Sequence, residues 1–114
     1  MASVNLVITA PSVATFNFDY VEPTLNNDGS ALTDLKEVIV DFKVGAVAYE
    51  LLTVVAASSP NGGGAQSKSI PNKSIGFTAT TATVKFTAVD LNGNKSPIME
   101  VVVPIDRIPP AAVS

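Results

Sequence analysis

Cysteine, histidine and tryptophan are all missing from this 114-residue chain, and each absence removes a class of function. Without cysteine there is no disulfide framework and no thiolate metal site. Such a composition suits folding in a reducing cytoplasm. Without histidine as well, nucleophile–base triads and zinc sites have no members. Hydrolytic chemistry would have to come from a carboxylate pair among ten scattered acids. Asp19 with Glu22, and Asp34 with Glu37, read as solvated charges at strand ends. The chain is therefore expected to be non-enzymatic, with no catalytic residue, metal or cofactor. Without tryptophan, a platform for stacking sugar rings would fall to Tyr20, Tyr49 and Phe77.

Charge is also sparse, at 15% of residues with a net charge of −3. Lys36, Lys43, Lys68, Lys73, Lys85, Lys95 and Arg107 stand singly. No cationic run exists to neutralise a phosphate backbone, so nucleic acid is not an expected partner. Nothing approaches the roughly 20 apolar residues of a spanning helix, and no membrane insertion is expected. The first residues, MASVNLVITAPS, lack the basic region and apolar run of a signal peptide. With Met1 read as the natural start, the protein is expected to be made and kept in the cytoplasm until it is released.

What the chain does have is 46% hydrophobic residues, enough for one core without staples. They are mostly small and β-branched types, interspersed with 8 Pro and 7 Gly, the profile of short strands joined by turns. Val4 to Thr9 reads as a first strand. Ala14, Phe16, Phe18 and Tyr20 alternate with polar residues, the period of a half-buried strand that ends at Glu22-Pro23. Asn26-Asn27-Asp28-Gly29-Ser30 carries turn chemistry, with an Asx-type turn at Asp28. Leu32, Leu35, Ile39 and Phe42 also fit a helix, but alternation of Val38, Val40, Phe42 and Val44 with Ile39, Asp41 and Lys43 favours a strand.

Val47 to Ala57 is a further extended run whose poor alternation suits a bulge. Ser58 to Gly64, SSPNGGG, reads as the most flexible loop. Ser67 to Thr80 reads as one or two short strands, made peripheral by Pro71. Ala82, Val84, Phe86 and Ala88 alternate cleanly, and Asp90-Leu91-Asn92-Gly93-Asn94 forms a hairpin turn into a strand from Ile98 to Ile105. That turn is not an EF-hand, because Lys95 falls at the sixth position, where glycine is needed. About seven strands and no secure helix predict an all-β, seven-stranded antiparallel β-sandwich. It is expected to span residues 1–106, with a Pro-rich tail or linker over 107–114.

Three segments resemble a fibronectin type III domain of bacterial or phage type. Ala14-Thr15-Phe16-Asn17-Phe18 is similar to its second strand, with Phe18 where the family keeps a core tryptophan. Asn27 to Leu35 is similar to the loop before its third strand. Val84 to Ser96 resembles its sixth strand and following turn. Ala82 stands where the family's corner tyrosine falls, so that clamp is missing. The resemblance implies an immunoglobulin-like scaffold and carries no activity of its own.

The expected function is that of a structural or interaction domain on a phage virion surface: a capsid decoration, neck or tail protein contacting repeated virion subunits or copies of itself. The alternative is a spacer or binding module cut from a longer secreted or cell-surface enzyme or adhesin, with carbohydrate as a further ligand class. The stiff tail from Pro104 to Pro110 suits that alternative. The expected contact positions are Asn26, Asp28 and Gly29 in one loop and Asn61, Gly62, Gly63 and Gly64 in another, because surface loops on a rigid frame carry binding.

Overall fold

A computed structural model describes residues 2–108 and 110–113. Seven strands follow in order: β1 (Ser3–Ala10), β2 (Val13–Val21), β3 (Leu35–Val44), β4 (Glu50–Ala56), β5 (Ala65–Ser74), β6 (Thr81–Asp90) and β7 (Met99–Pro104). They form two antiparallel sheets, ordered β1-β2-β5 and β4-β3-β6-β7. This is the expected all-β sandwich. Leu35 to Val44 is a strand, buried on the face of Val38, Val40 and Phe42, while Ile39, Asp41 and Lys43 remain partly open.

The core is the period-two stripe of β2 laid against β3 and β6. Ala14, Phe16, Phe18 and Tyr20 are all buried, as are Val40, Phe42, Val84 and Phe86. Phe16 meets Phe42 at 5.1 Å between ring centroids, and Phe18 meets Phe86 edge-on at 5.6 Å. Tyr20 packs on the same Phe86 ring at 5.5 Å. Such tilted pairs add about 0.5–1.5 kcal/mol each beyond the area they bury. Ala82 is fully buried in this core, in the same cluster as Val84 and Phe86.

Two irregular runs have local causes. In β4, Val40 lies opposite Thr53 but Asp41 lies opposite Leu51, so Leu52 is an extra residue. This bulge lets Leu52 and Val55 both point inward although they are three apart, which breaks the alternation. The segment after the Gly-rich loop is a single ten-residue strand, β5, longer and earlier than the one or two short strands expected within Ser67 to Thr80. Pro71 fits because β5 is an edge and is bulged there. Ala14 opposes Lys73 and Phe16 opposes Ile70, with Asn72 at φ 62°. An edge that carries proline, a bulge and lysines resists pairing with another sheet.

The strands run between two poles. The first gathers residues 22–34, 57–64 and 91–98, beside the start of β1. The second gathers Pro11-Ser12, Gly45 to Tyr49, Ile75 to Thr80 and the C-terminal segment. At the second pole the Arg107 guanidinium donates to four backbone carbonyls: Ala79 at 2.7 Å, Pro11 at 2.9 Å, Gly76 at 3.0 Å and Ile75 at 3.3 Å. It ties both sheets to the C-terminal segment, so the domain's contacts run past the boundary expected after Asp106. A chain ended after Asp106 should therefore be less stable than one ended after Ile108 by about 1–2 kcal/mol. Urea unfolding of the two truncations measures the difference, and equal midpoints would refute the staple.

Candidate interaction site

At the first pole, local sequence builds two copies of one turn. In Asn26 to Ser30, the Gly29 N–H donates to the Asn26 carbonyl and the Asn26 N–H to the Ser30 carbonyl. In Asp90 to Asn94, the Gly93 N–H donates to the Asp90 carbonyl and the Asp90 N–H to the Asn94 carbonyl. Each is a three-residue hairpin loop closed by a glycine in the left-handed region, at φ 88° for Gly29 and 83° for Gly93. The Asn-Gly pair thus serves a three-residue turn rather than a two-residue one.

Carboxylates finish both turns. The Asp28 carboxylate accepts from the Ser30 hydroxyl at 2.6 Å and the Ser30 N–H at 2.9 Å, the expected Asx-type turn. Asp90 accepts from the Asn94 amide and from the N–H groups of Asn94 and Asn92. These bonds hold both carboxyls below the usual aspartate range, Asp28 through Ser30 and Asp90 through Asn94. The second turn is also tied to the end of the β2–β3 connection, since the Leu91 N–H donates to the Asp34 carbonyl at 2.9 Å.

Between the β2–β3 connection and the β6–β7 turn lies an open groove of about 990 Å³. Leu32, Leu35 and Val89 form its buried floor, and Leu25 stands exposed on its rim. Asn26, Asp28 and Gly29 line it, as do Asp34, Asp90 and Lys95.

The second group of expected contact residues sits elsewhere. Asn61, Gly62, Gly63 and Gly64 reach the same pole but do not line the groove; Gly62 and Gly63 pack against Pro23 and Thr24 of the β2–β3 connection. The loop they belong to is pinned at several points. The Leu35 N–H donates to the Pro60 carbonyl, the Glu22 N–H to the Gly64 carbonyl, and the Gly62 N–H to the Ser59 carbonyl. A Cβ at Gly62 would fall 1.9 Å from the Pro23 carbonyl oxygen, and one at Gly64 would fall 2.2 Å from the Ser58 hydroxyl. The glycines are there for close packing, and Asn61 and Gly63 are the exposed members.

What holds this loop is Glu22, only 2% exposed, which corrects the expectation of a solvated charge. Its carboxylate accepts from the Ser58 hydroxyl, the Ser58 N–H at 2.9 Å, the Gly64 N–H at 3.0 Å and the Gln66 amide at 3.2 Å. Burial pushes this carboxyl up, but the donors from Ser58, Gln66 and Gly64 together hold it below the ordinary value. Burial, then the Glu22 charge, push the nearby Tyr20 phenol up to about 12. The signal for Glu22 was present in the sequence: positions 14, 16, 18, 20 and 22 share one inward phase.

The aromatic side chains considered as a sugar platform are dispersed. Tyr20 is core, and Tyr49 has Lys85 4.4 Å and Lys43 5.0 Å from its ring centroid. Phe77, at the same pole as Tyr49, is 73% exposed, and no ring among the described residues pairs with it. Compared with known proteins, the chain matches no family model, no curated protein and no solved structure.

Glu22→Gln should lower stability at pH 7 by about 1.5–3 kcal/mol, because charge-assisted bonds in a buried clamp are lost. With its native pKa depressed, Glu22 stabilises fully above its ordinary value of 4.5. That contribution is lost as pH falls from there through the lower native value. Urea midpoints of both proteins between about pH 7 and pH 3 should converge on acidification. A constant gap would show that the clamp is not ionised.

Proposed function

We propose that this chain is a fibronectin type III-like, non-enzymatic scaffold that works by protein–protein contact, on repeated subunits of a phage virion surface. Strand order supports the scaffold reading. The fourth strand lies beside the third in the four-stranded sheet, whereas constant-type immunoglobulin domains place it on the other sheet. The interaction reading rests on one observation above the others. A turn-rich pole is held in shape by the Glu22 clamp and the paired three-residue turns, and it exposes Leu25, Leu91 and Ile98. Because the loop backbone that carries them is already held in shape, docking need not pay to order it, which suits protein partners. Phe77 offers sugars a single exposed ring rather than a platform of several.

A second reading is favoured by the placement of the strands' ends. β1 starts at the first pole and the segment after β7 leaves from the second, as in a bead within a longer secreted or cell-surface chain. Immunogold electron microscopy of phage particles from the producing culture separates the two. Gold on heads, necks or tails is the expected result. Unlabelled particles, with the antigen carried on a longer polypeptide in immunoblots of the secreted fraction, would overturn the virion reading in favour of the module.

A further inference from the structure

Phe77 has no role in the core. It sits in the short connection between β5 and β6, after Gly76 at φ 66°, and is 73% exposed. Arg107 braces its base by donating to the Gly76 and Ile75 carbonyls, so the ring projects from an anchored loop. Val47 and Ile108 are exposed at the same pole. At the other end of the long axis, the groove between the β2–β3 connection and the β6–β7 turn offers an apolar floor of Leu32, Leu35 and Val89. Its volume of about 990 Å³ lies at the upper end of sites that seat compact groups, roughly 300–1,000 Å³.

Charge selects the way two copies would meet. The groove is lined by Asp28, Asp34 and Asp90 against a single cation, Lys95. The opposite pole and its adjoining strand ends carry Lys43, Lys73 and Arg107 against Glu50 and Asp106. Groove facing groove would set three carboxylates against three carboxylates, which is repulsive. Groove facing the Phe77 pole instead sets a lining of net charge −2 against an end of net charge +1, around an apolar plug.

We infer that copies of this chain associate head to tail, with Phe77 of one copy seated in the Leu25-rimmed groove of the next. The contact is heterologous, since it joins two different surfaces at opposite ends of one molecule. Repeated, it yields a linear stack rather than a closed two-fold dimer. This deepens the reading of the chain as a protein–protein module and names a second copy as the occupant.

Sedimentation velocity up to about 1 mM, where weak contacts register, tests it. The wild type should form dimers and longer species as concentration rises. Phe77→Asp and Leu25→Arg should each weaken self-association by about thirtyfold or more, as expected for loss of a central aromatic anchor or its socket. Both positions are exposed, and matching urea midpoints would establish that the variants fold. Mixing the two variants is decisive. Phe77→Asp keeps its groove and Leu25→Arg keeps its phenylalanine, so the mixture should form dimers and stop there. A wild type that stays monomeric, a Phe77→Asp protein that associates like the wild type, or a mixture that stays monomeric would overturn the proposal. A monomeric protein that still labels virions would sink the stack and leave the virion reading standing.

Discussion

The inward stripe of β2 is the feature to which the other elements are fitted. Ala14, Phe16, Phe18 and Tyr20 place three aromatic rings in one row, and the facing sheet answers with Phe42 and Phe86. Aromatic side chains bury some 150–250 Å² each, so this row dominates the core of a small domain. A one-residue slip of β2 would turn every ring to solvent, which fixes its register against both β1 and β5. The irregularities follow from that constraint. Bulges in β4 and β5 adjust the flanking strands so that Leu52, Val55 and Ile75 still reach the core.

The same stripe reaches its end at Glu22, where an inward phase delivers a carboxylate into a place shielded from solvent. Its burial is tolerable because four donors converge on it. Those donors belong largely to the Gly-rich loop, whose N–H groups at Ser58 and Gly64 have no sheet partner. Arg107 performs the complementary task at the other pole, where four loop carbonyls lack a ladder. An acid satisfies N–H groups at one end and a guanidinium satisfies carbonyls at the other. Both follow from the requirement that backbone polar groups leaving a sheet find partners.

Much of the architecture was legible because its signals are local. Alternation over seven residues of β2 and β6 needs only neighbouring residues to be seen, and so does the turn chemistry of Asn26 to Ser30 and Asp90 to Asn94. Leu35 to Val44, which fits a helix by spacing alone, is a strand because β-branched residues and an outward Asp41 and Lys43 suit the middle of a sheet. The Gly-rich run misled for a physical reason. Glycine permits freedom, but it equally permits close approach, and Gly62 and Gly64 serve the second purpose under Pro23 and beside Ser58.

The sequence by itself determined the all-β class, the strand count, the core aromatics and the two glycine-closed turns, since each depends on period or on local φ. Tertiary structure alone decided the sheet order, the clamp at Glu22, the staple at Arg107 and the groove. It also separated Asn26, Asp28 and Gly29, which line that groove, from Asn61 to Gly64, which do not. The reason is range. Glu22 meets Ser58 and Gly64 across 36 and 42 residues, and Arg107 meets Pro11 across 96, distances over which no pattern in the chain signals a contact until the sheets close.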